Sequence, residues 1–344
     1  FMIIFGLGGA TFGMAEETLP FIPIMVALAL AMGFDSITGT GMILAGAGAG
    51  FSAAFMNPFT VGVAQGIAGL PLFSAMGFRL VMFSVMTTAT IIYVYRYAGR
   101  VKANPQLSSM YEFDKKRDDT LDLDQIREVT NSDRMVLLTV GVTIILLVVG
   151  VMAWGWYILE MSGLFLGMAI VVSIFGKLGF NGFAESLTNG MAGMAGGALI
   201  VGFARAILVV LTEGSIMDTI LYGAANMVSA LPSSLTVLGM YIFQCLLNVI
   251  IPSGSGQAAA SMPIMAPLAD LTGITRQTAV LAYQLGDGIS NILTPTSGYF
   301  MAGLALAKIP WDKWAKWFVK LAAIQYAIGA VFILIAHVMQ LGPF

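Results

Sequence analysis

Two stretches of this sequence place a proline and a cluster of hydroxyl and amide side chains in the middle of an apolar run. The first reads S-A-A-F-M-N-P-F-T over residues 52–60, and the second reads I-S-N-I-L-T-P-T-S over residues 289–297. A proline breaks a helix and frees main-chain groups that hydrocarbon cannot satisfy. Two interrupted spans in matching positions of two half-chains predict a secondary transporter with its site at the breaks.

The composition indicates that this chain is an integral membrane protein. Of its 344 residues, 58% are hydrophobic and only 10% are charged, whereas a soluble domain carries about 25% charged residues. The apolar runs are long enough for helices of roughly 20 residues, and the alternating strands of a barrel are absent. The chain contains one cysteine and one histidine. These counts argue against a disulfide framework, a cysteine metal cluster and a catalytic nucleophile–histidine pair. The sequence therefore predicts an all-α polytopic membrane protein that is not an enzyme.

The chain is expected to contain two repeats joined by a polar linker. The first repeat is predicted over 1–98, with a re-entrant hairpin at 1–33, a broken helix at 38–70 and a helix at 71–98. Residues 99–133 form the linker, which is expected to be solvated. The second repeat is predicted over 134–344, with scaffold helices at 134–178, a helix at 190–213, a hairpin at 233–270, a broken helix at 275–308 and a last helix at 311–339.

The repeat is visible in matching residues. The tripeptide P-I-M at 23–25 recurs at 263–265, and Pro58 aligns with Pro295 after a small shift in register. The scaffold helices of the second repeat have no counterpart ahead of the first. We therefore expect the N-terminal part of the first repeat, roughly 100 residues, to be absent from this chain.

Charge bias predicts the orientation. Of the 16 lysines and arginines, 13 fall at 96–134, at Lys177 and at 308–320, whereas residues 206–275 contain none. The positive-inside rule makes the three clusters, and with them the linker, cytoplasmic. The two hairpins then enter from opposite faces, which is an inverted topology. A cytoplasmic interfacial anchor is expected from three lysines and three tryptophans, which are Lys313, Lys316, Lys320, Trp311, Trp314 and Trp317.

The breaks and the hairpin tips, at 16–18 and 251–257, are the predicted substrate site. Freed carbonyls at a broken helix suit a cation, and freed amides suit a carboxylate. The alternative is a purely structural proline kink, in which side-chain hydroxyls bond the freed main-chain groups and no ligand binds. The residues expected to bind substrate are Glu16, Glu17, Thr18, Asn57, Thr60, Arg205, Ser253, Ser255, Gln257, Ser290, Asn291, Thr294, Thr296 and Ser297.

Charged residues inside apolar segments are candidates for ion coupling because they are costly at membrane depth. Glu16, Glu17 and Asp287 are the predicted coupling residues, and a solvated hairpin tip is the alternative for the glutamates. Arg205 is expected either to bind a substrate carboxylate or to pair with an acidic residue such as Asp287. Arg79 is expected to reach the outer interface along its aliphatic stem.

Five motifs carry a resemblance to a known family. They are G-M-A-E-E-T-L-P-F at 13–21, N-P-F-T at 57–60, G-F-A-R-A-I at 202–207, I-P-S-G-S-G-Q-A-A at 251–259 and S-N-I-L-T-P-T-S-G-Y at 290–299. Over nearly all of its length the chain resembles the YfcC family of bacterial membrane proteins, which is related to the C4-dicarboxylate carriers within the ion transporter superfamily. The resemblance implies inverted repeats, a dimeric scaffold and elevator-like movement.

The resemblance also bears on the coupling ion. Superfamily relatives carry serine–asparagine–threonine signatures in both halves, and this chain keeps Ser290, Asn291 and Thr294 in the second half. Ala53 and Ala54 stand where the first half would have Ser–Asn. A sodium ion is therefore expected near the second signature only. Coupling to a proton, or exchange of one solute for another, becomes more plausible than coupling to sodium in both halves.

Family members are described as candidate basic amino acid antiporters or as carboxylate carriers. We expect a secondary active transporter for a small carboxylate-bearing solute, with a basic amino acid or a C4-dicarboxylate or short-chain carboxylate as alternatives. A passive channel is the alternative of another class. The expected setting is the bacterial inner membrane, with a homodimer, no nucleic acid partner and no cofactor beyond a coupling sodium ion or proton.

Overall fold

The structure, a computed structural model, describes residues 1–117, 129–156, 158–216, 219–220, 222–223, 226 and 232–342. These residues form helices and turns, and no strand occurs among them. Two compact units are present, one made of Phe1–Leu121 with Gly196–Phe344 and the other of Asp122–Ala195. The expectation of an all-helical membrane protein is confirmed.

The first third of the chain alternates short and long helices. A 3-10 turn at Glu16–Thr18 joins the first two helices, and a π-helical turn at Pro58–Gly62 precedes the fourth. The helices are α1 (Met2–Thr11), α2 (Phe21–Ala31), α3 (Ser36–Ser52), α4 (Val63–Ile67) and α5 (Met76–Ala103). Since α1 and α2 have only 10 and 11 residues, neither alone crosses about 30 Å of hydrocarbon.

The remaining helices include the second interrupted span. They are α6 (Tyr111–Asp114), α7 (Asn131–Trp154), α8 (Ile158–Phe175), α9 (Gly179–Glu213), α10 (Ser233–Ile250), α11 (Gly254–Leu271), α12 (Arg276–Ser290), α13 (Gly298–Leu306) and α14 (Trp311–Val338). Helix α9 begins eleven residues before the predicted start at 190. The glycines at 179 and 182 hid this extension, because glycine is a poor helix former.

The apolar surface of these helices matches a lipid environment. Met76–Ala103, Asn131–Val151 and Trp311–Val338 are long and apolar enough to cross a membrane by length and composition. Large hydrophobic side chains on them, such as Val81 and Leu137, are exposed. An aqueous surface rarely carries so many.

Glycines let α1 and α3 approach at backbone distance. A Cβ atom on Gly50 would overlap the main-chain carbonyl of Gly6, and one on Gly9 would overlap the carbonyl of Ala47. Small residues at such crossings are the usual means of packing helices in lipid. Helix α3 is buried along almost its whole length, so it forms the centre of its unit.

Three polar side chains in the first part of the linker bond to the helices beside it. The Ser108 hydroxyl donates to the Asp35 carboxylate at 2.6 Å, and Asp114 accepts the Ser36 amide at 2.9 Å. Arg117 pairs with Asp114 and donates to the Ala307 carbonyl. These contacts tie the linker to the start of α3 and the end of α13, although most residues of 104–117 are exposed.

The second unit contains α7, α8 and the start of α9. Thr130 and Asp133 form a capping box at the start of α7, and the Ser132 hydroxyl donates to the Phe175 carbonyl. The rings of Trp154 and Trp156 are tilted against each other with centroids 5.3 Å apart, at the turn between α7 and α8.

Replacing Gly50 with alanine tests the close crossing of α1 and α3. Because the added methyl group would meet main chain rather than a flexible side chain, the helices must separate, and we expect a loss of about 1–3 kcal/mol. Thermal unfolding in detergent measures this loss. The matched control is Gly99→Ala on α5, where a Cβ meets nothing within 4 Å. Equal unfolding temperatures for the two variants would contradict the packing.

Candidate functional site

The first break is held by Asn57. Helix α3 ends at Ser52, and the Asn57 side chain accepts the amides of Phe59 at 2.9 Å and Thr60 at 3.3 Å. Its amide nitrogen also donates to the Gly9 carbonyl on α1 at 3.4 Å. Asn57 thus caps the segment that follows the break and ties it to the first hairpin. All of its polar atoms are engaged with main chain.

Arg79 satisfies the carbonyl at this break, and the expectation that it reaches the outer interface is wrong. Its side chain is 0% exposed. The guanidinium donates to the Ala54 carbonyl at 3.4 Å, to the Gln277 side chain at 3.1 Å and to the Gln284 side chain. A cation beside the C-terminal end of a helix complements the helix dipole, so Arg79 stabilises the end of α3 and joins it to α12.

The second break is held by tryptophans. The Trp314 indole donates to the Ile292 carbonyl and the Trp311 indole to the Leu293 carbonyl, both at 2.9 Å. The Thr296 hydroxyl donates to the Val249 carbonyl at 2.8 Å. Trp314 is fully buried and Trp317 nearly so. The expected interfacial anchor is therefore wrong for these two rings, because they fill the interior behind the break.

The two broken helices cross at their breaks. A Cβ atom on Gly288 would overlap the backbone of Ser52, and Gly48 faces the Ile292 side chain. Ser52 is the last residue of α3, and Gly288 lies two residues before the end of α12. The structure therefore brings the two breaks close together.

The tip of the first hairpin uses two of its three polar side chains for its own turn. Glu17 accepts the Ala15 amide at 2.9 Å, and the buried Thr18 hydroxyl donates to the Ala15 carbonyl at 2.5 Å. Glu16 is the exposed member. A Cβ atom built on Gly303 of α13 would lie 3.5 Å from Leu19 Cδ2. The residue that follows this turn therefore packs against the helix that follows the second break.

The tip of the second hairpin is shorter than the predicted 251–257. Ser253 is the N-cap of α11 and accepts the Gly256 amide at 3.3 Å, so Ser255 and Gln257 lie in helix rather than in a loop. Gln257 is buried and donates to the Gln244 carbonyl at 2.9 Å and side chain at 2.7 Å. The Tyr283 hydroxyl donates a hydrogen bond to the Gly254 carbonyl at 2.5 Å.

Asp287 lies in a buried amide network. Its Oδ1 atom accepts from Asn248 at 2.9 Å and from Asn291 at 3.0 Å. Asn248 also donates to Gln257 at 3.1 Å. The network joins the two arms of the second hairpin to the second broken helix, and Asp287 itself is 0% exposed.

The residues of the expected sodium site are engaged with protein groups. The Ser290 hydroxyl donates to the Gly286 carbonyl at 2.6 Å and bonds the Tyr326 hydroxyl at 2.8 Å. The Thr294 and Thr296 hydroxyls bond each other at 2.8 Å. Among the described residues, Asn248 is the one donor to the side-chain oxygen of Asn291, through a long hydrogen bond of 3.4 Å.

Several buried side-chain oxygens have no hydrogen-bond partner in the described part of the chain, and three of them belong to the first break, the second hairpin and α12. These three are Thr60 Oγ1, Asn248 Oδ1 and Asp287 Oδ2. A Cβ atom built on Gly254 would lie 2.8 Å from Thr60 Cγ2 and 3.5 Å from Asp287 Oδ2. The first break, the second hairpin tip and Asp287 therefore converge beside Gly254.

Sequence reasoning undervalued Asn248 and Gly254. Single amides such as Asn248 in membrane helices usually bond helix to helix, and a glycine such as Gly254 is typical of a flexible tip. The spacing of Asn248 and Gln257 across a tight tip was the available signal. Ser297 Oγ is also buried without a described partner. The side chain of Arg205 lies outside the described part of the chain, and so does its expected pairing with Asp287.

Comparison with known proteins identifies the family. The sequence model of DcuC, the C4-dicarboxylate anaerobic carrier family, matches residues 1–338. The chain belongs to this family. The DcuC proteins are membrane carriers rather than enzymes.

Two relatives of this DcuC member are closely similar in sequence. The Escherichia coli (strain K12) protein YfcC, named as a candidate basic amino acid antiporter, is 38% identical over 98% of this chain and 69% of its own length. An uncharacterized protein of Haemophilus influenzae (strain ATCC 51907 / DSM 11121 / KW20 / Rd) is 34% identical over 97% of this chain. The chain spans 66% of the length of the Haemophilus protein.

A solved transporter shares the fold of this DcuC member. The crystal structure of the YdaH transporter of Alcanivorax borkumensis aligns with a TM-score of 0.54 and 15% identity, over 99% of this chain and 78% of that one. At this identity the likeness concerns the fold alone.

Replacing Arg79 with methionine tests its role at the first break. The methionine keeps much of the side-chain volume but leaves the Ala54 carbonyl and two glutamine oxygens with fewer donors. Because each buried acceptor without a donor costs about 1–3 kcal/mol, we expect a marked drop in the thermal unfolding temperature.

The control is Lys316→Met, which removes the exposed ion pair with Asp312. Such pairs are worth about 0–1 kcal/mol, so this variant should unfold close to the wild-type temperature. An Arg79→Met protein as stable as the control would contradict the buried role of Arg79.

Proposed function

We propose that this chain forms the substrate-handling part of a secondary active transporter that moves a small carboxylate-bearing solute across the bacterial inner membrane. The observation that carries the proposal is the convergence of the first break, the second hairpin tip and Asp287 beside Gly254. Sites at the interface of two broken helices are the recurring solution in secondary transporters.

The crossing of α3 and α12 supports the inverted repeat. If Pro58 and Pro295 are equivalent, Ser52 corresponds to Ile289, and Ser52 contacts Gly288, the neighbour of its counterpart. Each break also bonds the first arm of its own hairpin, through Asn57 to Gly9 and through Thr296 to Val249. We also propose an elevator-type movement, because both breaks belong to one compact unit that could move as a whole. The proposed assembly is a homodimer.

In this proposal, two oppositely charged side chains of the protein bind the two ends of the solute. Glu16, the exposed carboxylate of the first tip, would receive an amino or guanidino group, and Arg205 would receive the carboxylate. A basic amino acid fits this pair, and the name of the E. coli relative favours it. A C4-dicarboxylate is the second candidate, because the family is described by that substrate.

Transport by purified protein in proteoliposomes tests the carrier proposal. We expect unlabelled substrate inside the vesicles to accelerate uptake of labelled arginine or lysine, because exchange through one site is faster than net flux. Succinate should give the same acceleration if the dicarboxylate alternative holds. Arg205→Ala should abolish uptake of either class, and Lys177→Ala serves as a control for lost charge. Conductance without acceleration by internal substrate would identify a channel and contradict the proposal.

The coupling cation is proposed to bind at Asp287 Oδ2, Asn248 Oδ1 and Thr60 Oγ1. Oxygen atoms are the ligands that hard cations prefer, and a single carboxylate balances one positive charge. Sodium fits a carboxylate, an amide and a hydroxyl, and a proton would fit Asp287 alone. Neighbouring Ser290, Asn291 and Thr294 would then shape the pocket rather than bind the ion.

Sodium-dependent stability tests this cation site separately from transport. Wild-type protein in choline chloride should gain about 2.7 kcal/mol when sodium reaches roughly 100 times its Kd. Asp287→Asn and Thr60→Val should lose this gain, since each removes one ligand oxygen without changing the volume.

The matched control is Thr87→Val on α5, which also removes a buried hydroxyl without a described partner but lies on another element. Its response to sodium should equal that of the wild type. Equal responses in all four proteins would exclude the proposed ligands, and a response to pH alone in the wild type would replace sodium by a proton.

A further inference from the structure

A groove of about 710 Å³ lies between α5 and α14, away from both breaks. Its lining residues are Ala89, Ile92, Tyr93, Arg96, Arg100 and Ile324. Ile92 and Ile324 are 45% and 42% exposed, so the groove opens to the surroundings of the helices. Nothing in the substrate-site proposal uses these residues.

The groove changes character along its length. Ala89, Ile92 and Ile324 make one end apolar, whereas Arg96 and Arg100 line the other end. Residues four apart lie on the same face of a helix, so both guanidinium groups point along one side of α5. An occupant with an anionic head and a long apolar tail would match this order.

The two arginines lack a counter-ion within the described part of the chain. Their only described hydrogen bond runs from the Arg100 side chain to the Arg96 carbonyl, at 3.3 Å. Like charges one turn apart repel each other, so an anion between them relieves the repulsion. The Tyr93 hydroxyl is committed to the Trp317 carbonyl at 2.7 Å, and therefore its ring forms a fixed wall.

The depth of the groove matches a lipid headgroup. Helix α5 has 28 residues, a length of roughly 42 Å, which exceeds a hydrocarbon core of about 30 Å. Its last turns, where the two arginines lie, therefore reach the headgroup layer. Basic pockets between membrane helices at this level bind anionic lipid headgroups.

We propose that this groove is a binding site for one anionic phospholipid. The phosphate lies between Arg96 and Arg100, where guanidinium groups form charge-assisted hydrogen bonds. One acyl chain runs along Ala89, Ile92 and Ile324 toward the membrane interior. The lipid thereby links α5 of the first half to α14 of the second.

Titration of phosphatidylglycerol into detergent-solubilised protein, read by native mass spectrometry, tests the site. The wild-type protein should retain one tightly bound lipid, and Arg96→Ala with Arg100→Ala should bind it about 30-fold more weakly. The matched control is Lys316→Ala with Lys320→Ala, which removes the same charge from α14 outside the groove. Ala89→Phe should also weaken binding, because the ring occupies the acyl end while both charges stay.

Three outcomes would overturn the proposal. The first is equal lipid retention by the wild type and the arginine double variant. The second is stabilisation by inorganic phosphate as large as by the lipid, which would make the groove an anion site without a tail. The third is a change of oligomeric state in Ala89→Phe with unchanged lipid binding, which would assign the groove to a second copy of the chain.

Discussion

Main-chain groups that leave a helix inside a bilayer must be satisfied by protein, and the rest of this structure depends on that constraint. At the first break, Arg79 and Gln284 donate to the Ala54 carbonyl. At the second, Trp314 donates to the Ile292 carbonyl. Arg79 and Trp314 belong to the long helices α5 and α14 that follow the two breaks in the sequence, and Gln284 belongs to the other broken helix, α12. The breaks are therefore stable only in the assembled unit, which explains why α3 and α12 cross there.

The hydrogen bonds that satisfy the main chain at the breaks also determine which groups there remain available to bind a ligand. The carbonyls of Ala54, Ile292 and Leu293 are already bonded to protein donors. The groups left for a ligand are therefore side-chain oxygens, and Thr60 and Asp287 both lie beside Gly254. Asp287, Asn248 and Thr60 each come from a different element, so a movement of either hairpin or of the first break changes the set at once. Such dependence on several elements is what coupling between a cation and a conformational change requires. Membership of the DcuC carrier family agrees with this use of the breaks.

The sequence predicted the architecture better than the site. Pro58 and Pro295 marked both interruptions because their local chemistry is incompatible with a lipid-facing helix. Helix ends such as the start of α9 were missed, since local propensity alone does not set them. Arg79 was misjudged for a different reason. Near the start of a membrane helix an arginine resembles an interfacial residue, and its partners Gln277 and Gln284 lie some 200 positions away. The same holds for Thr60 and Asp287, whose proximity depends on the long-range crossing and not on spacing.

Oxidative cross-linking between Thr60→Cys and Gly254→Cys, in a Cys245→Ser background, tests most directly whether the first break meets the second hairpin tip. A Cβ atom at Gly254 lies 2.8 Å from Thr60 Cγ2, so the two thiols are within disulfide reach. Mass spectrometry of proteolysed protein should detect the linked peptides, whereas Thr60→Cys with Gly256→Cys should give none. Absence of the first cross-link under conditions where the protein is folded, or equal yields for the two pairs, would contradict the account.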